Sequence, residues 1–396
     1  MVTDYKLKTM AAIAETMKAY TSGDVDRPWV LSYSGGKDST VTADIVFRTL
    51  IQLKKHNPNK LKRQIYLLTA QTCLDLVTDP LKQEELMKIG RVIREYMLPV
   101  EVKEVSAPPE KSFMYLTLGK GYPLPKSRVN RWCTERLKIE PIQKEMKRRN
   151  PEIQVTGVRL SETTERRRSI ESRQVSEYYT DNVFMPIVNF TLDDVWSYLL
   201  KEKTSWGDAE KISQLYKDAT GECGLSKRRA GAGEKVDDPC GARTGCIICP
   251  VVTIDKSSKE FAKTHPWLQP YVDLRNTFIA MYKDERNKAG RMRDGTILEY
   301  GKGTFTVKAR MKLYELVKQA ESDNEYLARM HGVEPQKLIY SQELDDLIKK
   351  QWEEDLRECP WVEDAMEVGR YFETKIKGLN GFQMVWNHHY DSRNTV

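Results

Sequence analysis

The stretch from Pro28 to Leu50 limits the possible folds more than any other part of the chain. Pro28-Trp29-Val30-Leu31-Ser32-Tyr33 reads as a short strand, and Val41, Ile45, Val46 and Leu50 repeat at helical spacing after it. Between them lies Ser34-Gly35-Gly36-Lys37-Asp38-Ser39-Thr40. Paired glycines let a backbone approach an anion, and N–H groups at a helix start complement its charge. The loop is not a Walker A sequence, because Leu31 stands where the first glycine belongs and Asp38 follows the lysine. An acidic residue inside a phosphate loop suggests a metal-bridged pyrophosphate. A tight turn using glycines for steric reasons explains the backbone, but not the clustering of Ser34, Lys37, Asp38 and Ser39.

The pattern continues in the same style. Ile65–Thr69, Val100–Val105 and Gln154–Val158 read as strands, residues 5–20 and Leu81–Tyr96 as helices, and Asp193–Lys201 as a helix capped by Thr191. This alternation predicts an α/β fold with a parallel sheet covered by helices. Composition shifts near residue 217. The chain therefore divides by sequence into an α/β domain over 1–216, a Gly-, Cys- and Arg-rich segment over 217–255, and a mainly helical region over 256–396. In that region Ala309–Ala320, Leu344–Leu356 and Val362–Tyr371 are periodic, and a basic loop interrupts at Gly290–Thr306. A net charge of +7 permits a polyanionic partner without demanding one. No apolar leader, no long apolar run and an odd count of seven cysteines favour a reducing cytoplasm without membrane attachment.

Ser34-Gly35-Gly36-Lys37-Asp38-Ser39 resembles the PP-loop of the ATP pyrophosphatases, whose domains are adenine nucleotide α-hydrolase-like. Arg131-Trp132-Cys133-Thr134 with Leu137-Lys138, Gly157-Val158-Arg159 with Glu162 and Arg166, and Pro186-Ile187 with Asp194-Val195-Trp196 are similar to the phosphoadenylyl-sulfate (PAPS) reductase branch. The resemblance implies ATP and Mg2+ at Ser34, Gly35, Gly36, Lys37, Asp38, Ser39 and Thr40, with Arg131, Lys138, Gly157 and Arg159 also on the nucleotide. Lys37 and Asp38 would then be catalytic. The residues agree with this on their own terms. Arg128, Arg131, Arg136 and Lys138 offer cations to phosphate oxygens, and Arg159 follows a strand end, where open α/β sheets bind ligands. Arg166-Arg167-Arg168 serves equally as a solvated charge run, and Trp132 and Trp196 fit plain packing.

Cys223, Cys240, Cys246 and Cys249 fall close together, and Cys246-Ile247-Ile248-Cys249-Pro250 makes a tight two-ligand turn. Four thiolates can enclose an iron–sulfur cluster of the 4Fe-4S type or a zinc ion. One CxxC pair with apolar residues inside and proline after it favours iron–sulfur; free thiols are a third reading. The segment resembles the DndC/SspD-type proteins of DNA phosphorothioation, as do Leu274-Arg275-Asn276 and Gly303-Thr304-Phe305-Thr306 with Arg310. That resemblance implies a DNA substrate, a cysteine desulfurase or other sulfur donor, and further phosphorothioation proteins as partners. Basic segments at 144–149, 227–229 and 286–293 are candidate phosphate contacts, and solvated surface accounts for them as well. Against this, Glu222-Cys223-Gly224 is similar to the catalytic tail of assimilatory reductases, though Leu225 and Ser226 follow. A reductase of adenylylated sulfate, a tRNA thiolation enzyme and a binding scaffold with a vestigial loop are the other readings. Cys133, between Arg131 and Arg136, is expected to have a lowered thiol pKa and so to be a catalytic sulfur relay or to pack beside the nucleotide. Cys73 and Cys359 read as core residues, and His388-His389 as exposed tail.

Overall fold

A computed structural model describes residues 4–125, 131–162, 164–220, 245–252, 255–293, 296, 298 and 301–358. The strands are β1 (Trp29–Ser32), β2 (Ile65–Gln71), β3 (Val100–Ser106), β4 (Ile153–Val155), β5 (Gln174–Ser176), β6 (Tyr179–Thr180) and β7 (Val183–Phe184). They form one seven-stranded sheet in the order β3-β2-β1-β4-β7-β6-β5. The first five are parallel, and β6 and β5 close the far edge antiparallel. Trp29, Val30 and Leu31 are all buried, as a central strand covered on both faces requires. The helices are α1 (Asp4–Tyr20), α2 (Lys37–His56), α3 (Thr78–Tyr96), α4 (Trp132–Thr134), α5 (Glu140–Arg149), α6 (Thr164–Glu171), α7 (Leu192–Lys201), α8 (Glu210–Thr220), α9 (Lys256–Thr264), α10 (Gln269–Lys283), α11 (Val307–Met330) and α12 (Gln342–Glu358). Among the described residues none is long and apolar enough to cross a membrane.

The chain gathers into two compact units that are not consecutive stretches. One comprises 1–71, 77–106 and 138–244; the other comprises 72–76, 107–137 and 245–396. The sheet belongs to the first. Because β1 is flanked by β2 on one side and β4 on the other, the order reverses there, and the crevice beyond the carboxyl ends of β1 and β4 is the natural ligand position. Thr191 caps α7 in a capping box, its hydroxyl accepting from the Asp194 amide while Asp194 accepts from the Thr191 amide at 2.7 Å. Buried Asp44 on α2 accepts from the Ser205 amide and hydroxyl at 2.6 Å each, from Arg48 at 2.9 Å, and from the Tyr198 hydroxyl. Asp44→Ala strands those donors. It is expected to cost about 3 kcal/mol, seen as a lower urea midpoint with an unchanged m-value.

The second unit holds α9 to α12 and a segment with a π-helical turn at Tyr115–Gly119. Arg310 of α11, fully buried, donates to Asp355 of α12 at 2.7 Å and to the Gly119 carbonyl. Arg293 clamps the same carboxylate with two bonds, at 2.6 and 2.7 Å. Tyr115 donates to Gln351 at 2.7 Å, and the Trp352 indole donates to the Leu118 carbonyl at 2.6 Å. These contacts correct the expectation that Arg291 and Arg293 of the basic segment 286–293 offer phosphate contacts. Arg291 has no exposed surface, burial lowers its pKa, and Arg293 is engaged inward. Lys288 is buried as well, whereas Arg286 stays exposed and pairs with Asp284. The candidate contacts at 227–229 and the periodic stretch 362–371 lie outside the described residues.

Candidate functional site

The glycine loop sits where β1 gives way to α2. Gly35 adopts φ +75°, a left-handed conformation that glycine reaches without strain. A Cβ there would also meet the Lys82 side chain at 3.0 Å. Ser34 and Ser39 face each other across the loop with hydroxyls 3.0 Å apart, and Ser39 donates to the Gly36 carbonyl at 3.0 Å. Thr40 is buried and its amide reaches the same carbonyl at 3.0 Å. The N-cap of α2, Gly36, provides no side-chain cap, so the first turn presents backbone N–H groups to a ligand.

The chain after β4 closes on this loop. Arg159, nearly buried, donates to Asp38 at 2.6 Å, while the Lys37 ammonium stands 3.2 Å from the other carboxylate oxygen. Gly157 touches the loop backbone directly: a Cβ there would lie 2.9 Å from the Asp38 carbonyl carbon and oxygen and 3.0 Å from the Ser39 nitrogen. The structure thus brings together Ser34, Gly35, Gly36, Lys37, Asp38, Ser39, Thr40, Gly157 and Arg159. Mg2+ binds readily through one or two carboxylates together with substrate phosphates and water, and Asp38 is a donor of that kind beside a phosphate-type loop.

Two residues here carry no signal in the sequence. Lys82 of α3 lies buried under Gly35, donating to Asp79 at 2.8 Å and to the Ala70 carbonyl at 3.0 Å. Tyr216 of α8 accepts from the Lys37 amide at 3.5 Å. Neither belongs to a local motif, and only the packing of α3 and α8 brings them to the loop. Lys138 is exposed in the same unit.

Arg131 and Cys133 belong to the second unit, with Cys246 and Cys249. The turn is closed by the Cys249 amide donating to the Cys246 carbonyl at 3.0 Å. Arg275 of α10 holds it from below, donating to the Cys249 carbonyl at 2.8 Å and to that of Val252. The Cys133 thiol is pushed up in pKa by burial and by Cys249, and Cys246 is pushed well up by burial, Asp75, Cys249 and Cys133. This reverses the lowered pKa expected for Cys133 between two arginines: the dominant influence is desolvation, with a second thiol adding to it. It also gathers Cys133 with the CxxC pair, a grouping that sequence spacing does not reveal. Cys223 and Cys240 lie outside the described residues, as do Cys359, His388 and His389. Among the described residues no group of three or more His, Cys, Asp or Glu is arranged to hold a metal ion. The Cys246–Cys249 pair alone offers two thiolate donors of the kind that iron–sulfur and zinc sites use.

Trp196 is buried in the core and Trp132 is half-buried, stacked on Phe113 at 5.3 Å, so both pack as expected.

The chain is 25% identical over 244 residues to an uncharacterised protein of Methanocaldococcus jannaschii, covering 60% of this chain and 40% of that protein's length. Among solved structures it is similar to a phosphoadenylyl-sulfate reductase from Candida auris in a phosphate complex, with 12% identity, 54% and 93% of the two chains covered, and a TM-score of 0.32. It is likewise similar to yeast FAD synthetase in complex with FAD, with 16% identity, 56% and 66% covered, and a TM-score of 0.30. Residues 28–251 match the phosphoadenosine phosphosulfate reductase domain. That match takes in the glycine loop, Gly157, Arg159 and the CxxC pair, and the chain belongs to this family.

Proposed function

We propose that the protein is an ATP pyrophosphatase that activates a backbone phosphate of DNA for sulfur insertion. The observation that carries the first half is the Asp38 carboxylate held inside a glycine loop between Arg159 and Lys37. A non-bridging phosphate oxygen attacks the α-phosphorus of ATP; that P–O bond forms as the α–β bond breaks, and pyrophosphate leaves. A sulfur nucleophile then attacks the adenylated backbone phosphorus and AMP leaves. The chain's own part is electrostatic. First-turn amides, Lys37 and Arg159 face the charge that grows on the departing pyrophosphate. Mg2+ bound at Asp38 would neutralise part of that charge. DNA as substrate, a cysteine desulfurase or another sulfur donor, and partner phosphorothioation proteins rest on the sequence resemblance. The direct test is pyrophosphate release from ATP by the purified protein, followed by a cellular assay. A Ser39→Ala strain should lose phosphorothioate-linked dinucleotides from digested DNA. Their persistence would overturn the DNA assignment.

Cys223, Cys240, Cys246 and Cys249 would hold a 4Fe-4S cluster. Such a cluster supplies sulfur- and electron-handling chemistry. Anaerobically purified protein is expected to be brown and to contain iron and sulfide, and Cys246→Ser or Cys249→Ser should bleach it. Colourless protein with one zinc per chain would overturn this assignment.

The family itself favours a second reading, reduction of an adenylylated sulfate. It predicts sulfite formation from that substrate and no release of pyrophosphate from ATP.

A further inference from the structure

Tyr216 reaches the glycine loop from α8, and the mechanism above makes no use of it. Its hydroxyl lies 3.5 Å from the Lys37 amide, the first of α2. A Cβ on Gly36 would stand 3.4 Å from the same oxygen. The Lys37 ammonium lies 5.0 Å from the centre of the Tyr216 ring, within range of attraction by the ring face. On its other side the ring meets Trp196 edge-on at 5.2 Å, and Trp196 is part of the core. The hydroxyl is therefore fixed beside one of the donors that a phosphate loop offers.

That placement leaves little choice once an anion arrives. The phenol oxygen already accepts the Lys37 N–H, so a phosphate oxygen at the first turn of α2 shares that donor with it in a three-centre bond and lies within contact distance of the phenol oxygen. Two oxygens at that range repel unless one carries a proton toward the other. Phosphate at neutral pH is the acceptor, and a tyrosine hydroxyl can rotate to donate. We propose that Tyr216 is a phosphate ligand of the nucleotide site, donating its O–H to the pyrophosphate oxygen that the Lys37 amide binds. The ring has a second role, shielding the Lys37 ammonium and holding it at the loop. This inference rests on the reading of the loop as a pyrophosphate site.

The test is calorimetric titration of the full-length protein with inorganic pyrophosphate in the presence of Mg2+. Tyr216→Phe keeps the ring and its contact with Lys37 and removes only the donor. Its Kd is expected to rise about tenfold, in line with a hydrogen bond to a charged group. An unchanged or lower Kd would overturn the role of Tyr216 while leaving the loop's function intact. Failure of the wild-type protein to bind pyrophosphate would overturn both. A ring-fluorinated tyrosine at position 216 gives a readout that a purely structural role would not move. Its more acidic hydroxyl, kept protonated by working below its pKa, should tighten binding; weaker binding would mean that the oxygen only accepts, which also overturns the proposal.

Discussion

Replacing Asp38 with Asn is expected to lower pyrophosphate release from ATP by at least about a hundredfold, the scale of losing one aligned electrostatic group in an active site. The amide keeps the size of the side chain and can still accept from Arg159, so the fold should survive. The charge is what disappears, and with it the metal donor and the partner of both Lys37 and Arg159. Gly157→Ala reaches the same end by a different route. Its methyl group would press on the Asp38 carbonyl at 2.9 Å, which is backbone and cannot swing aside. Pyrophosphate release measured for both variants, with circular dichroism to check folding, separates lost charge from displaced backbone. Near wild-type turnover in Asp38→Asn would remove the central support for the proposed chemistry.

The second large effect concerns stability. Asp355→Ala is expected to destabilise the protein by about 3–5 kcal/mol, because it leaves Arg310 buried without its carboxylate. Arg310 has no exposed surface, whereas Arg293 is partly exposed and can turn toward water. Arg293→Ala should therefore cost far less than Asp355→Ala. A chemical unfolding series over the two variants checks the order, and equal losses would contradict the geometry. Replacing Arg310 and Asp355 together with apolar residues of similar volume should recover much of the loss, since no charge is then stranded.

The fold around β1 was legible because its determinants are local. An apolar run, two glycines and a helical repeat lie within Pro28–Leu50, and the structure realises them as β1, the loop and α2. Thr191 and Asp194 carried the start of α7 in the same way. Arg159 was legible as a residue just past a strand end, and it does meet Asp38. What could not be read depends on long-range packing. Tyr216 and Lys82 lie on amphipathic helices with no motif, and their meeting with the loop is a property of the assembled sheet. The basic loop misled because charge in a sequence suggests solvent, whereas Lys288 and Arg291 are interior residues. Cys133 misled for a similar reason: its sequence neighbours are cationic, but burial and a distant thiol set its environment.

The interleaving of the two units has a consequence for how the chain is made. Phe113, Met114, Leu116, Leu118 and Leu124 are all buried, and the segment carrying them is completed by α11 and α12, near the end of the described chain. At about 5–20 residues per second, the ribosome needs on the order of ten seconds or more to deliver those helices after residue 137 emerges. During that interval an apolar stretch waits without its cover, on a nascent chain whose sheet can already be forming. Chaperone dependence during synthesis, and aggregation of chains stalled before residue 307, would then follow from the order in which the unit's pieces are translated.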